Sequence, residues 1–267
     1  MTTSPAGPGP TDLCPLRAAL SSALVALDFD GTLAPLAAHP DDARPLAGAH
    51  RLLCDIRATG AALAVVTGRS VASLLRVSSF GAVPGIVIYG THGAERWENG
   101  QLRAPTPPAG LGELRLSLPA LVASITRDSA IWIEDKALSL VIHARLTAEP
   151  DRLLDALRAP VADACAAAGL EVRPGREVLE ICLPGTDKGT AMRELIGAGT
   201  AAVLYAGDDV GDLPALREVR AWSARSGRPA LSVAIGPSRT GPLAELTDVA
   251  VPDPDGLILL LRQIIGR

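Results

Sequence analysis

Two clusters of aspartates each follow a short apolar run in this 267-residue chain. Asp28 and Asp30 stand two residues apart, and Asp208, Asp209 and Asp212 fall within a five-residue stretch. Carboxylates this close repel one another unless a cation lies near them, and oxygen ligands of this kind favour Mg²⁺. A plain turn or the cap of a following helix is the structural alternative for each cluster. Taken together, the two clusters favour a metal site.

Groups that can hold an anion lie in two other places. Thr67 and Gly68 follow another apolar run and precede a predicted helix, so backbone N–H groups at that helix start would face a bound anion. Arg69 completes this turn. Lys188 opens a predicted helix, where its charge opposes the helix dipole. Because the dipole gives no structural reason for Lys188, neutralising a phosphate group and Asp28 is the better explanation.

Lysine is rare in this chain. Of 25 basic residues, only Lys136 and Lys188 are lysines. Arginine cannot always replace a compact ammonium on a flexible stem. The two retained lysines therefore favour functional roles, in support of the other arguments.

The predicted elements that would position these groups alternate between strands and helices. Buried strands are predicted at 24–28, 62–66 and 85–89, with helices at 46–57 and 70–77 between them. This alternation is typical of a parallel α/β sheet, in which ligands bind outside the carboxyl ends of the strands. Both aspartate clusters would then lie at one edge of the sheet.

The pattern changes after a stretch rich in Pro and Gly at residues 104–112. The segments that follow predict an inserted α+β domain: a helix at 114–128, paired strands at 130–143, a helix at 150–168 and paired strands at 171–181. The α/β pattern resumes at Lys188. We therefore expect three parts: a flexible N-terminal tail at 1–20, a core formed by 21–107 and 185–267, and a cap domain at 108–184.

The composition excludes several classes of partner. The chain is 48% hydrophobic with a formal net charge of -4, so it has no electrostatic footprint for nucleic acid or an anionic membrane. No apolar run approaches the roughly 18 residues of a membrane span. The first residues lack the charged start and apolar run of a signal peptide. We expect a cytoplasmic protein with a small-molecule partner.

These motifs, in this order, resemble the haloacid dehalogenase (HAD) superfamily of phosphatases. The resemblance covers about residues 22–266. It implies a Rossmann-like core with a parallel sheet and an inserted type 2 cap. It also implies that Asp28 is the nucleophile, that Asp30 is the general acid and base, and that Thr67 and Lys188 hold the phosphate.

The resemblance also implies a set of Mg²⁺ ligands. They are Asp28, the backbone carbonyl of Asp30, and Asp208, with Asp212 close behind. Repulsion between a carboxylate nucleophile and a phosphate dianion would be offset by Mg²⁺ and Lys188.

Three further stretches resemble trehalose-6-phosphate phosphatases. Gly90-Thr91-His92-Gly93-Ala94-Glu95 is similar to that family's Gly-Asn-His-Gly-Ala-Glu. Glu134-Asp135-Lys136 and His143-Ala144-Arg145 are similar to its Glu-x-Lys and His-x-Arg cap pattern, and Glu180 matches the end of the cap. The resemblance implies trehalose 6-phosphate as substrate and a functional link to a trehalose-6-phosphate synthase. The implied substrate contacts are Gly68, Arg69, His92, Glu134, Lys136 and Glu180.

The residues themselves leave part of this open. Glu134 and Lys136 share one face of a strand and would suit a hydroxyl-rich sugar, but a surface ion pair is the alternative. His92 and His143, taken alone, are more typical of structural histidines. Thr91 and Leu213 stand where the family has Asn and Glu. The alternatives are a phosphatase for a mannosylglycerate, sucrose or hexose phosphate, and a catalytically silent regulatory module.

Overall fold

The computed structural model describes residues 12–236 and 241–267. The helices are α1 Cys14–Ala18, α2 Ala49–Ala58, α3 Val71–Val77, α4 Ala109–Ile125, α5 Pro150–Ala167, α6 Lys188–Leu195, α7 Leu213–Ser226, α8 Pro242–Leu246 and α9 Pro254–Ile264. The strands are β1 Ala23–Leu27, β2 Ala62–Val66, β3 Ile86–Gly90, β4 Glu95–Glu98, β5 Gln101–Arg103, β6 Trp132–Asp135, β7 Leu140–His143, β8 Glu171–Gly175, β9 Val178–Cys182, β10 Ala202–Gly207, β11 Ala230–Ile235 and β12 Val249–Val251. No helix within these two ranges has both the length and the apolar character needed to cross a membrane.

The larger sheet has eight strands in the order β12-β11-β10-β1-β2-β3-β4-β5. The pairs from β12 to β3 are parallel, and β4 and β5 are added as antiparallel strands. The chain moves outward from β1 through β2 and β3, and later returns to β10 on the other side of β1. Such a reversal of strand order creates a crevice at the carboxyl ends of the strands. The predicted parallel α/β core is confirmed.

Strand β1 is buried on both faces, which explains its uninterrupted apolar sequence. Val25 and Leu27 point to one side and pack in a cluster with α2, α3 and α9. Leu24 and Ala26 point to the other side and pack with α6 and α7. Helices therefore cover both faces of the sheet, and the ends of the central strands are held rigidly.

The hairpin of β4 and β5 at the sheet edge was not predicted. Asn99 and Gly100 form its turn, with φ angles of 52° and 78°. Positive φ at both central residues is the requirement of a type I′ turn, for which Asn-Gly is the preferred dipeptide.

Residues 109–182, which we call the cap, have a sheet and a hydrophobic cluster of their own. The four strands run antiparallel in the order β6-β7-β9-β8. Leu118 of α4 and Leu157 of α5 pack with Ile142 and Ile181 of the sheet in this cluster. We call the rest of the described chain the core. The domain limits at residues 108 and 184 stay a prediction.

The flexible tail predicted at residues 1–20 is wrong for its second half. Residues 14–18 form α1, and Leu16 and Leu20 are buried against the core. Leu16 lies in α1, and Leu20 begins the short 3-10 helix Leu20–Ser22 that follows it. Residues 1–11 lie outside the described part of the chain.

Candidate active site

Three central strands end level with one another, which brings the predicted site residues together. Leu27 of β1 pairs with Ala206 of β10 on one side and with Val65 of β2 on the other. Asp28, Asp208 and the Thr67 turn therefore lie side by side. They border a cavity of about 770 Å³ between the core and the cap. The predicted site residues that line it are Asp28, Asp30, Thr67, Gly68, Arg69, His92, Glu134, Lys136, Glu180, Lys188 and Asp208.

Lys188 is the counter-ion of the buried carboxylates. Its Nζ lies 2.8 Å from Oδ1 of Asp28 and 2.7 Å from Oδ1 of Asp212. Burial alone would lower the pKa of this ammonium, but Asp212 and Asp28 raise it well above its usual range. The residue before it, Asp187, caps α6 by accepting a hydrogen bond from the Thr190 N–H. Lys188 is thus held charged at the floor of the cavity.

The negative charges of Asp28, Asp208 and Asp212 exceed the single positive charge of Lys188. Oxygens of Asp28, Asp208 and Asp212 all lie within 4.8 Å of one another. Burial raises the pKa of Asp28, and Asp212 and Asp208 raise it further against the effect of Lys188. Burial, followed by repulsion from Asp209 and Asp212, raises the pKa of Asp208 to about 7. A divalent cation between Asp28 and Asp208 would relieve this repulsion, so the donor set fits Mg²⁺.

Asp212 is fully engaged with protein donors. Its Oδ1 accepts hydrogen bonds from Lys188 and from the Tyr205 hydroxyl at 2.6 Å. Its Oδ2 accepts from the backbone N–H groups of Asp208 and Asp209. A carboxylate offers about four acceptor positions, so these bonds use its capacity. Asp212 also forms a capping box with Asp209, so the helix-capping alternative describes part of this cluster.

Gly31 makes room for Asp208. Its φ is +75°, and a Cβ built on it would lie 2.2 Å from Oδ2 of Asp208. The Asp208 carboxylate, after β10, therefore packs directly against the backbone of Gly31, in the turn after β1. No residue other than glycine fits this position without moving Asp208.

Gly31→Ala is expected to weaken Mg²⁺ binding by about 10–100-fold, as displaced supporting groups do at metal sites. Isothermal calorimetry with Mg²⁺ measures this directly. Gly100→Ala is the matched control, because Gly100 has a φ of +78° and nothing within 4 Å of a built Cβ. Equal Mg²⁺ affinities in the two variants would contradict the role assigned to Gly31.

The Thr67 turn connects the core to the cap. Thr67 is buried, and its Oγ1 accepts a hydrogen bond from the Arg69 N–H at 3.1 Å. Lys136 of the cap donates from Nζ to the Gly68 carbonyl at 3.1 Å. A Cβ on Gly68 would lie 2.7 Å from the His92 ring. The turn is therefore packed between a cap lysine and a core histidine.

The side chain of Arg69 is bound to Asp30. Its Nε and Nη2 donate to the two carboxylate oxygens of Asp30 at 2.6 and 2.7 Å. The predicted substrate contact by Arg69 and the predicted acid and base, Asp30, thus form one pair at the cavity wall.

Cap residues form the opposite wall. Glu180 accepts hydrogen bonds from His92 of the core and from Ser139, and it lies 3.6 Å from Nζ of Lys136. Burial alone would raise the pKa of Glu180, but His92 and Lys136 hold it well below its usual range. Glu134 bonds to His143 at 3.0 Å. A charged network therefore spans the core and the cap.

A family model described as trehalose-phosphatase matches residues 26–235. This chain belongs to the trehalose-phosphatase family. It is 34% identical over 215 residues to a trehalose-phosphate phosphatase of Mycobacterium avium, covering 73% of this chain and 51% of the relative. It is 33% identical over 245 residues to a probable trehalose-phosphate phosphatase of Sinorhizobium fredii, covering 89% of this chain and 86% of the relative. The chain thus spans about half the length of its mycobacterial relative.

Solved structures share the fold. The C-terminal domain of a Candida albicans trehalose-6-phosphate phosphatase aligns with a TM-score of 0.80 and 20% identity, covering 98% of this chain and 99% of the other. A trehalose-6-phosphate phosphatase related protein aligns with a TM-score of 0.71 and 24% identity, covering 91% and 97%. A haloacid dehalogenase-like hydrolase from Bacteroides thetaiotaomicron aligns as well, with a TM-score of 0.60 and 15% identity, so it shares the fold of this chain.

The structure places further arginines in the cavity wall. Arg176, in the turn between β8 and β9, lies 3.3 Å from Oδ2 of Asp208. Arg145 of the cap donates to the Ala37 carbonyl of the core at 2.6 Å. The sequence carried one signal for Arg176, which is a cation next to Gly175 in a predicted strand pair. Nothing in the sequence indicated that this turn points toward Asp208.

Proposed function

We propose that this chain is a Mg²⁺-dependent phosphatase that converts trehalose 6-phosphate to trehalose and phosphate through an aspartyl-phosphate on Asp28. The observation that carries the proposal is Asp28 on the cavity floor, 2.8 Å from the ammonium of Lys188 and close to Asp208. Family membership supports the substrate and a place in trehalose biosynthesis. A functional link to a trehalose-6-phosphate synthase and a cytoplasmic location stay predictions.

Asp28 and Asp208 would hold Mg²⁺, together with the backbone carbonyl of Asp30. The raised pKa values of both carboxyl groups support this donor set. Asp212 would act on the ion through its charge, because its oxygens already accept four hydrogen bonds. Bound there, Mg²⁺ supplies charge that lowers the repulsion between a phosphate dianion and a carboxylate.

The protein groups divide the reaction into two steps. Lys188 and Thr67 orient the phosphate, and an oxygen of Asp28 attacks phosphorus. The bond to the sugar oxygen breaks, and Asp30 gives that oxygen a proton. In the second step Asp30 takes a proton from water as the water attacks the phosphoryl group on Asp28. Splitting the reaction lowers the barrier of each step.

The cap wall and His92 of the core supply groups suited to a sugar. Glu134 and Glu180 can accept hydrogen bonds from hydroxyl groups, and Lys136 and His92 can donate them. All four line the same cavity as Asp28. A cap closed over the core would exclude water from the reacting atoms.

The deciding experiment is phosphate release with Mg²⁺ from a panel of sugar phosphates. We expect the largest kcat/KM for trehalose 6-phosphate and no release in the presence of a chelator. A preference for a mannosylglycerate, sucrose or hexose phosphate would keep the chemistry and replace the substrate. Absence of release from every member would support the silent regulatory module instead.

Lys136→Met is expected to lower kcat/KM for trehalose 6-phosphate by about 10–100-fold, because a charged hydrogen bond contributes about 1.5–3 kcal/mol. The effect on a small aryl phosphate should be several-fold at most, since that substrate has no sugar for the cap to hold. Steady-state kinetics on both substrates tests this. Arg152→Met, which removes an ion pair with Glu149 between two exposed side chains of the cap, is the control. Equal losses on both substrates would contradict a sugar contact.

A further inference from the structure

Arg69 contacts Asp30 from the buried side of the carboxylate. Only 6% of the Arg69 side chain is exposed, whereas 34% of the Asp30 side chain is exposed where it lines the cavity. Two parallel hydrogen bonds at 2.6 and 2.7 Å join them. A bidentate pair of this kind fixes the plane of the carboxylate as well as its position.

The buried positive charge of the Arg69 guanidinium is neutralised by Asp30. It lies over the ring of Phe29, with Cζ 5.2 Å from the centroid. Its Nη1 is buried and has no hydrogen-bond partner within the described residues. Asp30 is the carboxylate with which Arg69 forms its ion pair. Movement of Asp30 away from this position would leave a buried charge without its counter-ion, which is strongly unfavourable. Asp30 is therefore held where it lies.

This pairing decides which side of Asp30 can carry a proton. A carboxylate offers about four acceptor positions on its two oxygens. Arg69 occupies one position on each oxygen, on the protein side. Asp30 lines the cavity with 34% of its side chain exposed. A substrate oxygen or an attacking water in the cavity would therefore meet Asp30 at a position that Arg69 leaves free.

We propose that Arg69 is a positioning residue that aims the proton of Asp30 at the leaving oxygen and then at the attacking water. The inference rests on the proposed function and replaces the predicted substrate contact of Arg69. In the first step the sugar oxygen leaves with the bonding electron pair and takes the proton of Asp30. In the second step the water oxygen bonds to phosphorus, its proton goes to Asp30, and the electron pair of the broken P–O bond returns to Asp28.

Substrates with different leaving groups can distinguish a positioning role of Arg69 from a purely structural role. A sugar alkoxide needs a proton to depart, whereas a nitrophenolate does not. In Arg69→Lys the ammonium can pair with one oxygen of Asp30 but cannot fix its plane. We therefore expect release of trehalose from trehalose 6-phosphate to fall by about 100-fold, the usual contribution of a positioned acid.

With p-nitrophenyl phosphate, the same variant should give a fast burst of nitrophenol followed by slow turnover. The burst reports the first step, which needs no proton, and the slow phase reports water attack, which still needs Asp30. Rapid-quench measurements give both rates. The burst amplitude also counts the folded active sites, so partial unfolding does not imitate the result. Arg69→Gln is a second variant, and we expect the same pattern from it.

Arg76→Lys is the matched control. Arg76 also pairs with an aspartate, Asp41, but both side chains are exposed on the surface. We expect unchanged kinetics there. Equal slowing of the burst and of later turnover in Arg69→Lys, or unchanged turnover of trehalose 6-phosphate, would overturn the inference. A wild-type protein that turns over no phosphate ester would overturn the proposed function itself.

Discussion

Asp28→Asn is expected to lower phosphate release by at least about 10⁴-fold, since removal of a covalent nucleophile causes losses of this order or more. Asparagine keeps the volume of the side chain but is a far weaker nucleophile than a carboxylate. The lost group also belongs to the predicted Mg²⁺ site, so both the attack and the charge balance suffer. Phosphate release from trehalose 6-phosphate under saturating Mg²⁺ measures the effect.

Folding should not account for that loss. Asp28 is buried beside two other carboxylates, and its pKa is raised for that reason. Neutralising it removes repulsion as well as the ion pair with Lys188, so thermal unfolding should change little. Mass spectrometry of acid-quenched enzyme should find a phosphoryl group on Asp28 in the wild type and none in the variant. Retention of more than about a tenth of the activity would exclude Asp28 as the nucleophile.

Lys188→Met is expected to lower the free energy of unfolding by about 3–5 kcal/mol, the usual cost of breaking a buried ion pair by removing one partner. Asp28 and Asp212 would both lose the ammonium that neutralises them. Methionine is close in size to the lysine stem, so the change isolates the charge. Urea unfolding followed by circular dichroism measures the stability, and activity should be lost as well.

Two further variants test the cause. Lys188→Met combined with Asp28→Asn should regain part of the lost stability, because one stranded charge is removed. Arg193→Met removes an exposed arginine from its ion pair with Glu218, which keeps Arg225 as a partner, and should cost about 1 kcal/mol or less. A double variant no more stable than Lys188→Met would mean that packing, and not charge, makes Lys188 necessary.

The core strands were predictable because both of their faces are buried. The predicted β2 matches at both ends, and the helix predicted to begin at Lys188 is found at Lys188–Leu195. The edge hairpin was missed although Asn99-Gly100 is a strong turn signal, since its strands carry polar residues that resemble loop composition. Helix α1 could not be predicted from composition, because it has only five residues and follows a stretch rich in Pro and Gly, which is typical of an unstructured tail.

The sequence predicts those residues of the candidate site whose positions are set by the backbone alone. Asp28, Thr67 and Asp208 follow strands that end in register, so sequence order alone places them together. Pairings made by long side chains could not be predicted in this way. Arg69 can reach either a substrate or Asp30 from its turn, and the choice depends on the direction of the turn and on Phe29.

The scarcity of lysine gives this protein an unusual chemical handle. Its two lysine side chains line one cavity, Lys136 from the cap wall and Lys188 from the floor. Lys188 is buried, and Asp212 and Asp28 raise its pKa well above its usual range, so its charged amine would react slowly with an acylating reagent. Among the lysine side chains, acylation would then be directed to Lys136 in the cap, where a bound substrate would shield it.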